Sequence, residues 1–447
     1  MTEMIQSVRE RFEAAGVRAL AMTMVDNSGV TRVKAVPIAR LERVARNGVG
    51  MAYIWAAAGP DDHFATVAPY DHPSGDMRLI PDLAAARVLA ASPGWAWAPV
   101  DQLSQELEPV ESCQRTVLKR VVERAESAGL QLKATFETEM TLLDADGKPA
   151  TDGPGYSTRS LARLEEFALE LVDALEAEDV EVEQFHPEYA PGQFELSVAP
   201  RDPLTAADEV VLLRTTTRQV ARRHGLDVSF APVVLPGEVG NGSHLHLSLW
   251  RDGENLMQGG DQHAGMTGVG ASAVAGMTAA LPELLAVLAP SVPAYERLQP
   301  HHWAGAYACW GVENREAALR FIPGTVTRRS TAANVEVKVV DGGANPYLAM
   351  AVMIGAALDG VERGAVLPEP VQDDPASLSA ADRDTRGIAR LPASLDKATA
   401  LLETSEVAKR VLGETLHRAF VAVRRMEWET YGAKSDNDLA TAYRWRY

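Results

Sequence analysis

Residues 131–147 read QLKATFETEMTLLDADG, and the alternation from Phe136 to Met140 inside that stretch decides the fold. Side chains two apart on an extended strand leave the same face, so Glu137 and Glu139 project together while Phe136, Thr138 and Met140 flank and separate them. Two adjacent anions repel, and alone such a pair reads as a solvated sheet edge. The design recurs along the chain. Glu188 and Glu195 bracket a proline-glycine turn in HPEYAPGQFE (186–195), His244 and His246 share a strand face in GNGSHLHLS (240–248), and Glu336 and Lys338 share one in NVEVKVV (334–340). Each piece alone has a bland reading as a core histidine or a cross-strand ion pair. Together, carboxylates and an imidazole from separate strands make a hard-oxygen site suited to two or more Mg²⁺ or Mn²⁺ ions.

Outward from these strands, the first hundred residues mix short strands with turns. AMTMVDNSGVTRVKAV (21–36) places Asn27, Ser28 and Gly29 between two β-prone runs, which predicts a hairpin in a small β-rich unit. Pro60, Pro69, Pro73, Pro81 and Pro93 punctuate the next stretch, until a helical period begins near Glu111 in CQRTVLKRVVERAESAG. The boundary falls just before it, giving an N-terminal domain over 1–105 and a second domain over 106–447. Within 131–147 the pattern predicts two short strands. Helices are predicted over Thr158–Ala177, Thr205–His224, SAVAGMTAALPELLAVLA (272–289), NPYLAMAVMIGAALDGVE (345–362) and Leu395–Trp428, with strands at VSFAPVV (228–234) and SHLHLSLW (243–250).

At 447 residues the chain can bury a large core, and 46% hydrophobic with 23% charged residues is ordinary for a globular protein. A formal net charge of −18 argues against unassisted binding to nucleic acid and disfavours anionic membranes. No apolar run is expected to span a bilayer, and the charged, amphipathic MTEMIQSVRERFE start lacks a signal peptide's apolar core, so the expected location is cytoplasmic. Cys113 and Cys309 are too few for a disulfide framework and read as reduced core thiols. PGEVGNGS (236–243) lacks the Gly-Lys-Ser ending of a P-loop and leads into a strand, and neither a Rossmann fingerprint nor a Gly-x-Ser-x-Gly elbow is present. Arg297, Arg315 and Arg320, with Arg328 and Arg329 following, add planar donors for carboxylate and phosphate. Metals with arginines point to phosphoryl transfer.

The order of these motifs resembles the glutamine synthetase family over nearly the whole chain. FETEM and HPEYAPGQFE resemble its paired metal glutamates, and GNGSHLHLS its glycine loop and metal histidine. AYERL (294–298), ENREAALRFIP (313–323) and VEVKVVDGGANPYL (335–348) resemble its glutamate-binding arginine, phosphate-binding arginines and last metal glutamate. The resemblance implies an α+β fold: a β-grasp N-terminal domain, then a catalytic domain with a curved antiparallel sheet backed by helices. It assigns Glu139, Glu188 and Glu195 to one metal and Glu137, His244 and Glu336 to a second, among two or three Mg²⁺ or Mn²⁺ ions per site. Gly240 and Arg297 would hold glutamate; Glu183, His246 and Ser248 would contact ATP; Arg315 and Arg320 would steady the transferred phosphate. It implies a homo-oligomer of stacked rings, a dodecamer. It also implies ATP-dependent carbon–nitrogen ligation through an acyl phosphate.

The sequence departs from that family where ammonium is held. MAYIW (51–55) puts Ala52 near the place of an aspartate, and LQPHHWAG (298–305) puts Trp303 where a flap glutamate is expected. An indole offers apolar and cation–π contact, which favours an organic amine, with a small monoamine first. Asp61, Asp62, His301 and His302 are candidates for amine recognition or deprotonation. Lys338 stands where the family has an arginine near the reacting phosphate, keeping charge without the guanidinium fork, and Asn334 replaces another. The alternatives are glutamine synthesis with ammonia, a γ-glutamylpolyamine synthetase and a non-catalytic oligomer.

Overall fold

The computed structural model describes residues 2–447. After a helix over Thr2–Ala14, the N-terminal part builds a six-stranded sheet from β1 (Ala19–Val25), β2 (Thr31–Pro37), β3 (Val49–Ala52), β4 (Asp76–Pro81), β5 (Arg87–Val88) and β6 (Trp95–Leu103). Its order is β2-β1-β6-β4-β3, with β5 on β6. The predicted β1–β2 hairpin is present. Asp26 Oδ1 accepts the backbone N–H groups of Ser28 (2.9 Å) and Val30 (3.0 Å), and Gly29 turns the chain at φ +76°. A Cβ at Gly29 would lie 1.9 Å from the Gly343 carbonyl oxygen, so only glycine lets the hairpin tip seat on the catalytic part. Asn345 secures that seat, donating to the carbonyls of Val25 (3.0 Å) and Asp26 (3.1 Å).

The expected division at 105/106 falls in the turn where Ser104 N–H donates to Glu108. Beyond it, the helix Gln114–Ser127 carries Arg115, which is 3% exposed and joins the two parts. Its guanidinium meets Asp82 (2.8 Å), just past β4, Asp101 (3.0 Å) on β6 and Asp208 (2.8 Å) from the helix Pro203–Arg223.

A ten-stranded sheet comes next: β7 (Gln131–Leu143), β8 (Val182–Pro187), β9 (Gln193–Val198), β10 (Asp227–Ser229), β11 (Ser243–Arg251), β12 (Glu254–Asn255), β13 (Tyr307–Val312), β14 (Ala317–Ile322), β15 (Asn334–Val337) and β16 (Ala389–Arg390). Its path is β16-β13-β14-β15-β11-β7-β9-β8, antiparallel except for the β13–β14 pair. Helices Gly268–Leu288, Pro346–Arg363 and Pro203–Arg223 back it and contribute much of the main core. The fold is the α+β arrangement implied by the resemblance.

Several elements differ from their sequence reading. QLKATFETEMTLL is one strand rather than two, because β7 pairs with β11 along its first part, β9 along its middle and β10 at its end. The helix expected over Thr158–Ala177 breaks at Leu164 (φ −117°, ψ 23°). VSFAPVV is strand only at its start, since the Ala231 and Pro232 carbonyls turn to accept from Asn241. Leu395–Trp428 is three helices, divided at Ser405, which caps the next helix through Ala408 N–H, and at Gly413 (φ +79°). One apolar run does reach membrane length: Gly268–Leu288 qualifies by length and composition, yet it is mostly buried inside the protein. Cys113 and Cys309 are buried free thiols, as expected.

Candidate active site

Strand register assembles the site. Glu137 on β7 lies opposite His244 on β11, and Glu139 lies opposite Glu195 on β9. His246 on β11 lies opposite Glu336 on β15, which in turn lies opposite Arg320 on β14. Because side chains alternate along each strand, this register gathers the polar residues on one face and sends Phe136, Leu245 and Val335 into the core. Together these strands line a cavity of about 560 Å³ that contains Glu137, Glu139, Glu188, Glu195, His244 and Glu336. Gly240, Arg297, Trp303, Arg315, Arg320 and Lys338 line the same cavity.

Three groups of side chains could each hold a cation, their ligand atoms lying within 4.8 Å of one another: Glu137, Glu195 and His244; Glu137, His246 and Glu336; His186, Glu188 and Glu195. Glu139 belongs to none of these groups among the described residues; its Oε2 instead accepts from Gly242 N–H (2.8 Å) and Gln193 Nε2 (3.0 Å). His186 stands in the third of these groups, with Nε2 3.1 Å from Glu188 and 3.6 Å from Glu195. Sequence reasoning misses it although it opens HPEYAPGQFE. Tyr156, missed as well, donates its hydroxyl to Glu188 (2.8 Å) and stacks on His186.

The charges explain why cations fit here. Burial, and then the carboxylates of Glu137, Glu139, Glu188 and Glu336, push Glu195 up to about 9. Burial would also raise Glu336, but Lys338, His244 and His246 outweigh it and hold that carboxyl down at about 2. Lys338 Nζ lies 3.0 Å and Arg320 Nη1 3.2 Å from Glu336. Burial is likewise overcome at His246, which Glu137 and Glu336 raise to about 9. Hard carboxylate oxygens with imidazole nitrogens suit Mg²⁺ or Mn²⁺. A carboxyl raised from 4.5 to about 9 contributes stability that is complete below 4.5 and lost as pH rises through 9. In chelator, the melting temperature therefore falls as that window is crossed. The gain on adding Mg²⁺ or Mn²⁺, read by scanning calorimetry, is larger at about pH 8 than at about pH 6. An equal gain at both values would show that Glu195 is not where the cation acts.

Arg297 is 4% exposed and fixed in the cavity wall, donating to the Lys338 carbonyl (2.8 Å), the Val339 carbonyl (3.3 Å) and His244 Nε2 (3.1 Å). The Gly240 backbone packs against it: a Cβ there would meet the Pro232 carbonyl oxygen at 2.0 Å and Arg297 Cβ at 3.2 Å. At the mouth stands an aromatic wall. Tyr156 meets Tyr189 edge-on at 5.7 Å, Tyr189 meets Trp303 edge-on at 5.6 Å, and the Arg315 guanidinium lies 5.9 Å from the indole centroid.

Some expected residues lie outside this cavity. His246 faces Glu137 (3.3 Å) and Asn334 (3.0 Å) from beyond it, Ser248 accepts from Trp250 Nε1 (2.8 Å), and Glu183 is exposed on β8. Asp61 and Asp62 are engaged elsewhere, with Tyr431 (2.9 Å) and Arg32 (2.6 Å), and neither they nor Ala52 line the cavity of their own chain. His301 and His302 do line it.

Family models for the glutamine synthetase N-terminal domain and the glutamine synthetase catalytic domain match residues 4–114 and 111–443. A γ-glutamylpolyamine synthetase, GlnA3, of Streptomyces coelicolor is 48% identical over 438 residues, 97% of this chain and 94% of that protein. A glutamine synthetase of Thermus thermophilus is 34% identical, covering 72% of this chain and 73% of its own. Among solved structures, a glutamine synthase homologue superposes with a TM-score of 0.87 at 34% identity, covering 96% of this chain and 99% of its own. GmaS in complex with ADP superposes with a TM-score of 0.84 at 28% identity, covering 97% and 98%. A cavity lined by carboxylates, imidazoles and arginines on a curved sheet, and matches spanning both domains, make this chain a member of the glutamine synthetase family, an ATP-dependent carbon–nitrogen ligase.

Proposed function

We propose that the chain joins the γ-carboxylate of glutamate to an organic amine through γ-glutamyl phosphate. The observation that carries this reading is Trp303: an indole, continued by Tyr189 and Tyr156, walls the cavity mouth where glutamine synthetase-like chemistry with ammonia calls for a carboxylate. A free carboxylate is a poor electrophile. ATP, with two or three divalent cations per site, supplies the phosphoryl group and the neutralising charge.

The chain's own residues do the rest. Glu137, Glu139, Glu188, Glu195, His186, His244 and Glu336 are the assigned cation ligands. Arg297 and the Gly240 backbone hold the amino acid end of glutamate. Arg315, Arg320 and Lys338 face the reacting carboxylate and phosphate, where fixed cations stabilise charge that develops in the transition state. Glu183, His246 and Ser248 are assigned to the nucleotide side. A cytoplasmic ring-stacked dodecamer completes the reading, and sedimentation velocity tests the assembly.

Two classes of amine remain in play, each with an observation behind it. A di- or polyamine comes first: the relative that is 48% identical is named for polyamines, and a continuous strip of three rings suits an alkyl chain bearing a further ammonium. The small monoamine expected from sequence is the second reading. It is favoured because two carboxylates beside the wall are already engaged, Glu316 with Trp303 N–H (3.1 Å) and Asp374 with His301 (2.8 Å).

Phosphate release from ATP with glutamate, Mg²⁺ and separate amines (ammonia, ethanolamine, isopropylamine, putrescine, spermidine) decides. Turnover with an organic amine and little with ammonia supports the reading and selects the class; turnover with ammonia alone removes it. Trp303→Ala is expected to lower kcat/KM for the preferred organic amine about 10- to 100-fold, about 1.4–2.7 kcal/mol, while the value for ammonia stays within about threefold. Equal losses for both would mean that the indole supports the flap rather than the amine.

A further inference from the structure

An amine arriving as ammonium has no lone pair to attack with, and an indole cannot take its proton. Building on the amide-forming reading above, we infer that His301, oriented by Asp374, is the base that deprotonates the incoming amine.

His301 lines the cavity beside Trp303, and its Nδ1 lies 2.8 Å from Asp374 Oδ2. A carboxylate at Nδ1 holds that nitrogen as the N–H donor and leaves the Nε2 lone pair free, the tautomer a general base requires. Asp374 is itself fixed, its Oδ1 accepting from Ala376 N–H at 2.8 Å. Its segment is tied to the phosphate-side loop through Asn314, whose side chain donates to the carbonyls of Val371 (2.7 Å) and Asp373 (3.0 Å) immediately before Arg315. The imidazole is thus anchored to the element that carries a phosphate-facing arginine.

The backbone supplies an independent sign. His301 and Trp303 sit at φ +67° and +53°, in the left-handed region that residues with a Cβ seldom occupy. Such conformations cost about 1–3 kcal/mol each and persist where the surroundings impose them, often at functional sites. At these two positions Asp374 contacts the His301 ring and Glu316 accepts from Trp303 N–H.

The other histidines are less suited. His186, His244 and His246 are engaged by the assigned ligand carboxylates, and His302 has no ion-pair partner among the described residues. The charged and titratable groups on the elements about His301 are Asp374 at its Nδ1, Glu316 accepting from Trp303 N–H (3.1 Å), Arg383, which donates to the carbonyls of Pro375 and Ala376, and His302 and Arg315 on the cavity wall. The ring is 70% exposed, so water can reload and discharge it between turnovers.

An N–H bond of the ammonium breaks, its proton passes to His301 Nε2, and the nitrogen keeps the electron pair. That pair forms the C–N bond at the acyl phosphate carbon. The C–O bond to phosphate breaks, phosphate leaves with its electrons, and the second amine proton goes to a phosphate oxygen.

His301→Gln in the full chain, assayed with the preferred amine at about pH 7, is expected to lose about 100-fold or more in kcat with little change in KM for glutamate. The loss should shrink as pH rises, because more amine then arrives neutral. With hydroxylamine, which is already neutral at that pH, the loss should be within about threefold. Asp374→Asn, a positioning change, should fall between wild type and His301→Gln and show the same dependence on nucleophile. Equal losses with both nucleophiles, or no loss with either, would overturn the assignment, and the hydroxylamine rate also shows whether the variant is folded and transfers phosphate. Wild-type turnover with ammonia alone would remove the organic-amine reading, and ammonium against hydroxylamine would then decide His301 by the same comparison.

Discussion

Glu336→Gln is expected to remove the activity and to destabilise the metal-free chain. Glu336 is 1% exposed and pairs with Lys338 (3.0 Å), Arg320 (3.2 Å) and His244 (3.2 Å). A neutral amide cannot compensate the Lys338 and Arg320 charges. Removing one partner of a buried ion pair typically costs about 3–5 kcal/mol, mostly because the surviving charge stays buried and unpaired. A carboxyl held at about 2 against an ordinary 4.5 contributes stability that is present above 4.5 and lost as pH falls through 2. The gap between variant and wild type is therefore full at neutral pH and closes in acid, as urea midpoints in chelator at a series of pH values would show. Phosphate release should fall about 10²–10³-fold even with saturating Mg²⁺, since the variant loses a hard ligand and disturbs Lys338 and Arg320 together. A variant with an unchanged urea midpoint and less than about tenfold lower turnover would place the key anion elsewhere.

How far the sequence leads depends on whether chemistry follows strand periodicity. Glu137, Glu139, His244 and Glu336 are legible because a two-residue period puts polar atoms on one face and Phe136, Leu245 and Val335 on the other, and the sheet keeps that division. The register between strands is not legible, and it determines which ligands meet. It places His186 against Glu195 and directs Glu139 to Gly242 N–H and Gln193, neighbours that strand periodicity alone does not reveal. Tyr156 and Asp374 reach the site from segments without motif character, through a hydroxyl on Glu188 and a carboxylate on His301. Helix ends escape the periodicity where one residue decides. Leu164, Ser405 and Gly413 each interrupt an apolar period that continues across them. The full length of β7 escapes it too, because that length depends on three different pairing partners.

Arg115→Met is expected to loosen the N-terminal sheet from the catalytic part and to cost about 3–5 kcal/mol, the range for breaking a buried, hydrogen-bonded charge cluster. Methionine approximates the arginine stem but leaves Asp82, Asp101 and Asp208 converging without their shared cation. Asp208 suffers most: burial raises its pKa, Arg115 is the main opposing influence, and the Tyr347 hydroxyl, donating at 2.7 Å, is a weaker one. In the variant that carboxyl moves further up, so its contribution is retained in acid and lost as pH rises through its raised value. Asp82 works in the opposite direction in the wild type. Burial would raise it, but Arg115 holds it below 3.8, giving stability that is present above 3.8. Both effects widen the gap between wild type and variant toward alkaline pH. The rest of the joint includes the Gly29 tip seated on Gly343, the Asn345 bonds to Val25 and Asp26, the buried Arg424 guanidinium donating to Ser28 Oγ (2.8 Å), Tyr431 donating to Asp61 (2.9 Å) and the more exposed Arg87–Asp179 pair (3.2 Å). Scanning calorimetry of the variant should therefore show an early transition for the N-terminal sheet split from the main one, closing as pH is lowered. A single transition at the wild-type temperature at every pH would mean that the apolar contacts between the two parts, such as Val25 and Trp97 within the main core, hold the joint without Arg115.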